Sequence, residues 1–265
     1  MAMMRPAAAR IVDRDLARTT AVLLGAAGQV LAPAVGPRLG QRTIGAVSDE
    51  HPSVLTPPDA AFAVWGPIFL ACTAAAVQQA LPGERRTDLQ RRAGWWLAGA
   101  YAGNAAWELT AQSGRYRGTP ALLAAIVGAT ATAHARLQGS EPRGGARVAP
   151  ASTGMLLGWT SVALLANVAG AAGAASPADP RTRRLATLAV AAAGAALTTA
   201  VGRSRRAAAP LAATSAWGFG AIALASPVRG VRWAGTLATA GVLGALARRW
   251  RGARSRSARA ALLLG

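Results

Sequence analysis

Two groups of residues combine a tryptophan with polar side chains at the spacing of an α-helical face. Asn104, Trp107 and Glu108 stand at positions i, i+3 and i+4, and Trp159 and Asn167 stand eight residues apart. Residues at these spacings share one side of a helix, so each helix would present a flat ring beside a hydrogen-bonding group. Such a face either bonds a neighbouring helix or lines a cavity in which a flat apolar ligand stacks on Trp107 and Trp159. Both interpretations stay open for each residue, and the repetition of the pattern favours a pocket.

A third group is aromatic throughout. Phe62, Trp65 and Phe69 form one stripe of a predicted helix at i, i+3 and i+7. Pro67 has no backbone N–H, and inside a helix it is expected to produce a kink just past Trp65. A kinked helix that carries Trp65 and Phe69 would make one wall of the pocket.

Glu108 is the only acidic residue clearly inside a predicted membrane span. A carboxylate is costly at that depth, so one interpretation gives it a functional role, in ligand binding or in transport. The other interpretation is that it lies a turn from the loop 113–118 and reaches the membrane interface. The sequence leaves both open.

Other site chemistry finds little support in the sequence. The only cysteine, Cys72, excludes an intrachain disulfide and a cysteine metal cluster, and His51 and His134 are the only imidazoles. No glycine pattern for a dinucleotide or a phosphate loop occurs, and no arrangement of serine, histidine and aspartate can be argued. We therefore predict no catalytic residue, no metal ligand and no required cofactor.

The elements that must position these residues are membrane helices. Hydrophobic residues make up 52% of the 265 positions and charged residues only 15%. A helix of about 20 uncharged residues spans a bilayer, and the fold class predicted here is an all-α polytopic transmembrane bundle. Eight spans are predicted, although the fourth, sixth and eighth are short or glycine-rich and a count of seven is the alternative. The segments are 19–36, 61–81, 93–112, 119–135, 151–175, 185–202, 207–226 and 231–247.

The arginines determine the predicted orientation. All 29 basic residues are arginine, and with eight spans 20 of them fall on the side of the two termini. By the positive-inside rule both termini are cytoplasmic, and the charge favours membrane topology over a nucleic-acid partner. The tail 248–265 carries six of these arginines, which would either attract anionic lipid or only set topology. Four further tryptophans are expected to anchor the helix ends at the membrane surface: Trp95, Trp96, Trp233 and Trp250.

In chain order, the three groups resemble the tryptophan-rich sensory protein family, also called the translocator or TspO/MBR family. Residues 52–58 look like its proline-rich loop before the second helix, and 62–69 is similar to its Phe-x-x-x-Trp-x-x-x-Tyr element with one residue fewer between Phe and Trp. Asn104 to Trp107 fits its Asn-x-x-Trp, and Trp159 to Asn167 fits its Trp-x-x-x-Ala-x-x-x-Asn. The chain departs from the pattern at Met155-Leu156, where the family has Pro-Tyr, and it lacks the family's Trp-Tyr at the end of the first helix. Its three additional helices make it similar to extended bacterial members.

The resemblance implies a five-helix core that binds tetrapyrroles, such as protoporphyrin or haem, and sterol-like lipids. It divides the chain into a core at 1–178, a three-helix extension at 179–247 and the arginine-rich tail at 248–265. His51 is expected to be a solvated loop residue rather than a haem ligand. With Glu108 added from its position in the membrane, the predicted ligand-binding residues are Trp65, Phe69, Asn104, Trp107, Glu108, Trp159 and Asn167.

The leading hypothesis is an integral membrane binding or sensory protein of the bacterial cytoplasmic membrane, not an enzyme. Its predicted partners are membrane lipid and a small hydrophobic ligand, with a homodimer as a further expectation because Gly99 and Gly103 have small-x-x-x-small spacing. The alternatives are a small transporter that uses Glu108, a membrane enzyme that degrades tetrapyrroles, and a scaffold that holds a partner on its last three helices.

Overall fold

The structure is a computed structural model that describes residues 7–139 and 148–264, with side chains from residue 14 onward. Arg5, Arg143 and Arg147 of the predicted cytoplasmic set lie outside the described residues, as does the side chain of Arg10. The described chain is helical and contains no strand. In chain order its α-helices are α1 Ala7–Arg38, α2 Ile44–Glu50, α3 Trp65–Ala80, α4 Asp88–Gln112, α5 Thr119–Leu137, α6 Val148–Ala171, α7 Pro180–Arg203, α8 Ala208–Ala225, α9 Arg229–Gly252 and α10 Arg256–Leu263.

All eight predicted membrane segments fall on long helices, and the polytopic helical bundle is confirmed. Within the described chain six helices are long and apolar enough to cross a membrane; they contain residues 14–38, 59–80, 116–137, 148–171, 180–203 and 208–225. The two other long helices, α4 and α9, have 25 and 24 residues. At 1.5 Å per residue each reaches about 36 Å, more than the hydrocarbon core. They are less apolar because α4 carries buried polar residues and α9 has arginines at both ends.

The second predicted span begins differently from the expectation. Residues Asp59–Val64 form a 3-10 helix, and the α-helix starts at Trp65. Pro67 therefore lies in the first turn of α3, where its missing N–H has no intrahelical acceptor to lose. The predicted kink just past Trp65 is therefore wrong. The chain instead passes from a 3-10 helix to an α-helix at Trp65.

The helices pack around two hydrophobic clusters that share α6. The first joins α1, α3, α4, α5 and α6, and the second joins α6 to α7, α8, α9 and α10. Trp159 belongs to the first cluster, whereas Leu157 and Val162 on the same helix belong to the second. Because α6 is buried on both sides, the extension is packed directly on the core.

Charged residues tie α1 to the start of α4 near one end of the bundle. Arg18 donates to Asp15 at 2.5 Å and also to the carbonyl of Arg85, while Arg91 donates to the same Asp15 carboxylate at 2.7 Å. Asp15 and Arg18 are both buried, and each of these two charges has an oppositely charged partner within the protein. The four predicted anchor residues, in contrast, are exposed: Trp95, Trp96, Trp233 and Trp250.

Candidate functional site

Three tryptophans from three helices meet inside the first hydrophobic cluster. The ring centroids of Trp65 and Trp107 are 5.9 Å apart, and those of Trp65 and Trp159 are 6.1 Å apart in an edge-to-face arrangement. We call these residues the tryptophan cluster. Phe69 stacks on Trp65 at 5.2 Å, and Phe62 meets Trp159 edge-on at 6.1 Å. The structure thus brings the three sequence faces together, at distances typical of favourable aromatic pairs.

A cavity of about 40 Å³ lies against the tryptophan cluster. Space of that size holds about three water molecules. The walls combine the three indole rings with apolar side chains and a few polar ones. The lining includes Ile44, Val47, His51, Phe62, Trp65, Trp107, Tyr116, Trp159, Val162, Asn167 and Ile222.

Asn167 both lines this cavity and joins three helices. Its Oδ1 accepts from the indole Nε1 of Trp107 at 3.2 Å and from the hydroxyl of Thr119 at 2.8 Å, and its Nδ2 donates to the Ala163 carbonyl at 3.0 Å. These bonds connect α6 with α4 and α5. The two interpretations of the amide, as helix contact and as cavity wall, therefore apply to the same residue.

Trp159 is the unsatisfied member of the cluster. Its side chain is only 1% exposed, and its indole Nε1 has no hydrogen-bond partner. Trp107, in contrast, donates its indole N–H to Asn167 on another helix. A buried N–H without an acceptor is unusual in a folded protein and costs about 1 to 3 kcal/mol. Trp159 lines the cavity, but its Nε1 is itself buried, so an acceptor in the cavity reaches this N–H only when the walls move apart.

The segment 44–58, which we call the cover, closes the cavity from the loop between α1 and α3. It contains α2, and His51 at the end of α2 stacks on Tyr116 with ring centroids 3.9 Å apart. Val47 is buried against Ala111 and Tyr116. His51 was expected to be a solvated loop residue, whereas the structure places it half-buried in the cavity wall. Helix periodicity does not identify His51 or Tyr116 as site residues, because neither belongs to a periodic helix face.

The extension also contributes to the site. Ile222 of α8 lines the cavity, and the indole of Trp217 donates to the Ala61 carbonyl at 2.8 Å, which attaches α8 to the 3-10 helix before α3. Close approach of α8 to α6 occurs at Gly158, where an added Cβ would lie 2.7 Å from the Leu211 carbonyl oxygen. The cavity is therefore completed by a helix outside the predicted five-helix core.

Three predicted site residues lie outside the cavity lining. Phe69 supports Trp65 from behind, and Asn104 and Glu108 lie on the face of α4 that meets α1. Asn104 donates to Gln29 Oε1 of α1 at 3.4 Å, and Gln112, one turn beyond Glu108, donates to the Pro33 carbonyl at 3.4 Å.

Glu108 lies between these two contacts. It is only 2% exposed, and its Oε2 has no hydrogen-bond partner. Its carboxyl group is therefore enclosed by the helices and does not face solvent. This row of polar residues is separate from the tryptophan cluster.

Comparison with known proteins agrees with the architecture. The sequence profile of a family described as TSPO-like protein matches residues 17–247, from α1 through α9. No match was found among curated proteins or among solved structures. The matched region includes α8, whose Ile222 and Trp217 complete the site.

Proposed function

The chain belongs to the TSPO-like protein family, and from that premise we propose that it binds a flat apolar ligand, such as a tetrapyrrole or a sterol-like lipid, at the tryptophan cluster. It would do so as an integral protein of the bacterial cytoplasmic membrane with both termini in the cytoplasm, the orientation that its arginines favour. The tetrapyrrole would be a ligand and not a resident cofactor. The family and the membrane helices support the class of protein, and the aromatic site supports the proposed ligand chemistry.

The observation that carries this proposal is a cavity with aromatic walls beside Trp159, whose buried indole N–H has no partner among the described residues. The rings of Trp65 and Trp107 supply flat faces on which a conjugated or polycyclic ring stacks. A carbonyl, carboxylate or hydroxyl oxygen on the ligand would accept from Trp159 Nε1. The ligand is therefore expected to combine a large apolar face with at least one acceptor at its edge.

The size of the cavity defines a second requirement. Sites for drug-sized ligands have volumes of about 300 to 1,000 Å³, whereas this cavity has about 40 Å³. A tetrapyrrole can enter only if the walls move apart. The cover is the wall most easily displaced, because α2 has seven residues and is flanked by connecting segments. Ligand binding would therefore displace the cover.

The experiment is a fluorescence titration of the detergent-solubilised protein with protoporphyrin, with an unrelated hydrophobic dye of similar size as ligand control. The test variant is Trp159→Phe, which keeps an aromatic ring and removes the N–H. One lost hydrogen bond of about 1.4 kcal/mol would weaken binding about tenfold. The matched variant is Trp233→Phe, which removes an indole that is 59% exposed and not among the residues that line the cavity. It should bind like the unmodified protein.

Two results would contradict the proposal. One is a quenching response that never saturates or that the dye reproduces. The other is undiminished porphyrin binding by a folded Trp107→Ala/Trp159→Ala double variant, because that variant lacks two of the three rings. Either result would leave a TSPO-like membrane protein without a tetrapyrrole site.

A second candidate function, coupled transport, is favoured by Glu108. A buried carboxyl group with one unpartnered oxygen in a membrane helix is a group at which a proton or cation could bind during transport. Protoporphyrin uptake into proteoliposomes would be measured over a pH series for Glu108→Gln and for Asp88→Asn, an exposed acid on the same helix. The transporter hypothesis expects the pH dependence to disappear only in Glu108→Gln, and pH-insensitive uptake by the unmodified protein would exclude it.

A further inference from the structure

A second and larger cavity lies where α7 and α9 end and α10 folds back. Its volume is about 420 Å³, and the lining includes Arg205, Arg248 and Arg249 together with the apolar residues Ala245, Ala253 and Leu262. We call it the arginine pocket. None of its residues takes part in the tryptophan cluster or its cover.

No acidic side chain of helices α7 to α10 balances the positive charge at the arginine pocket. The last acidic residue in the sequence is Asp179, so helices α7 to α10 contain none. Arg18, Arg42 and Arg91 form ion pairs within the protein, and they lie outside this region. The Nε of Arg249 is buried without a hydrogen-bond partner. Arg205 and Arg248 are exposed, so their guanidinium groups can meet an anion from outside the protein.

The pocket is held in place by specific bonds. Gln138 Oε1 accepts from the backbone N–H groups of Arg205 and Arg206 at 2.8 and 2.9 Å, which fixes the α7–α8 connection to the end of α5. The backbone N–H of Ala207 donates to the Ala261 carbonyl at 2.8 Å and attaches α10 to the start of α8. The walls of the pocket are therefore set by the fold and do not depend on flexible arginine side chains alone.

The surroundings of the pocket are apolar. Leu263 and Leu264 at the end of α10 are exposed, and so is Trp250 near the end of α9, over whose ring the Arg259 guanidinium lies at 5.6 Å. Leu262, on the opposite side of α10, is buried. An amphipathic helix with basic residues and exposed leucines beside a membrane helix is typical of the membrane interface. A free anion from solution would not need this apolar border.

We propose that the arginine pocket binds the phosphate group of an anionic phospholipid, whose acyl chains lie along the apolar outer surface next to α9 and α10. Arginine suits this ligand because its planar guanidinium forms paired hydrogen bonds to phosphate oxygens. The tail arginines thereby hold a lipid in a defined site beside the extension. This inference is independent of the ligand proposed for the tryptophan cluster.

The test uses the full chain in detergent and counts bound lipids by native mass spectrometry during titration with phosphatidylglycerol or with phosphatidylcholine. We expect one phosphatidylglycerol to be retained at concentrations at which phosphatidylcholine is not. Arg205→Gln/Arg248→Gln removes two exposed charges from the pocket. Because each basic residue near an anionic lipid surface contributes about 1 kcal/mol, the loss of two should lower the affinity for phosphatidylglycerol about thirty-fold.

The matched variant is Arg229→Gln/Arg232→Gln, which removes two exposed arginines from the opposite end of α9. It should retain the lipid, and both variants should unfold at the same temperature without lipid. Equal retention by the two variants, or equal retention of both lipids, would overturn the proposal. A final titration adds glycerol phosphate, a soluble anion without acyl chains. If it displaces the lipid at equal concentration, the pocket binds a free phosphate compound and the lipid assignment is overturned.

Discussion

At the scale of single residues, the site separates side chains whose polar groups are satisfied from one whose group is not. Asn167 Oδ1 accepts from the side chains of two other helices, whereas the indole N–H of the neighbouring Trp159 has no partner among the described residues. In a membrane bundle an interhelical hydrogen bond contributes about 0.6 to 2 kcal/mol. The bonds of Asn167 therefore hold the walls, and the free N–H of Trp159 is the group that remains for a ligand.

The contribution of Asn167 can be measured through its partner Thr119. The hydroxyl of Thr119 lies 2.8 Å from Asn167 Oδ1 on another helix and equally close to the nearby Tyr116 carbonyl, whereas that of Thr130 donates to the Ile126 carbonyl on its own helix, and both threonines are fully buried. Thr119→Val should lower the unfolding free energy in detergent by about 1 kcal/mol more than Thr130→Val. Equal unfolding midpoints for the two variants would show that the bond to Asn167 does not hold α5 against α6.

At the scale of elements, the closed state depends on the short helix α2. Its N-cap Thr43 accepts from the Ala46 N–H at 3.2 Å, and its exposed Arg42–Glu50 ion pair contributes little. The main apolar contact is Val47 against Ala111 and Tyr116. An isolated seven-residue helix is not stable in water, so α2 exists because the cavity wall buries Val47.

Truncation of that contact should loosen the cover. Val47→Ala loses about 1.5 kcal/mol of burial and should raise the open fraction of the cover about tenfold. Hydrogen exchange of residues 44–58 is the readout, and Val77→Ala on the exposed side of α3 is the matched variant. Unchanged exchange of these residues in Val47→Ala would show that another contact keeps the cover closed.

At the scale of the whole molecule, the core and the extension share the helix α6. An added Cβ at Gly158 would lie 2.7 Å from the Leu211 carbonyl oxygen and 2.8 Å from Ser215 Oγ, both on α8, whereas at Gly128 of α5 it would meet nothing within 4 Å. Gly158→Ala should therefore destabilise the protein by about 2 kcal/mol and move Ile222 relative to the cavity. Gly128→Ala should be neutral or stabilise by up to about 1 kcal/mol. Equal thermal stability of the two variants would mean that α8 is not packed tightly on α6.

The proposed orientation of the whole molecule also has a direct test. Cys72 is fully buried and should not react with a membrane-impermeant maleimide, so a single added cysteine reports its own side of the membrane. Ser257→Cys in α10 and Ser176→Cys between α6 and α7 both replace exposed residues. In intact cells only Ser176→Cys should be labelled, and Ser257→Cys should require permeabilisation. The reverse pattern would place the termini outside.

Local periodicity in the sequence determined the helices and the residues that share each face. Apolar segments between arginine groups predicted all eight long helices, because a span must satisfy its own backbone and its charges must stay outside the lipid. The same periodicity put a tryptophan on each of three faces, and the tertiary structure places the three rings together. The short helices α2 and α10 have no comparable signal, since they depend on tertiary contacts for their stability.

Only the tertiary structure decided which of these residues line the cavity and which hold the helices together. Spacing along one helix cannot show which neighbouring helix its face meets, so it did not distinguish Asn167 at the cavity from Asn104 and Glu108 at α1. Nor could it show that His51, Tyr116 and Ile222 complete the site, because they come from segments far apart in sequence. The same holds for the unpartnered N–H of Trp159 and for the arginine pocket beside α10. Hydrogen-bond partners and pockets arise from the packing of several helices, so no single helix sequence shows them.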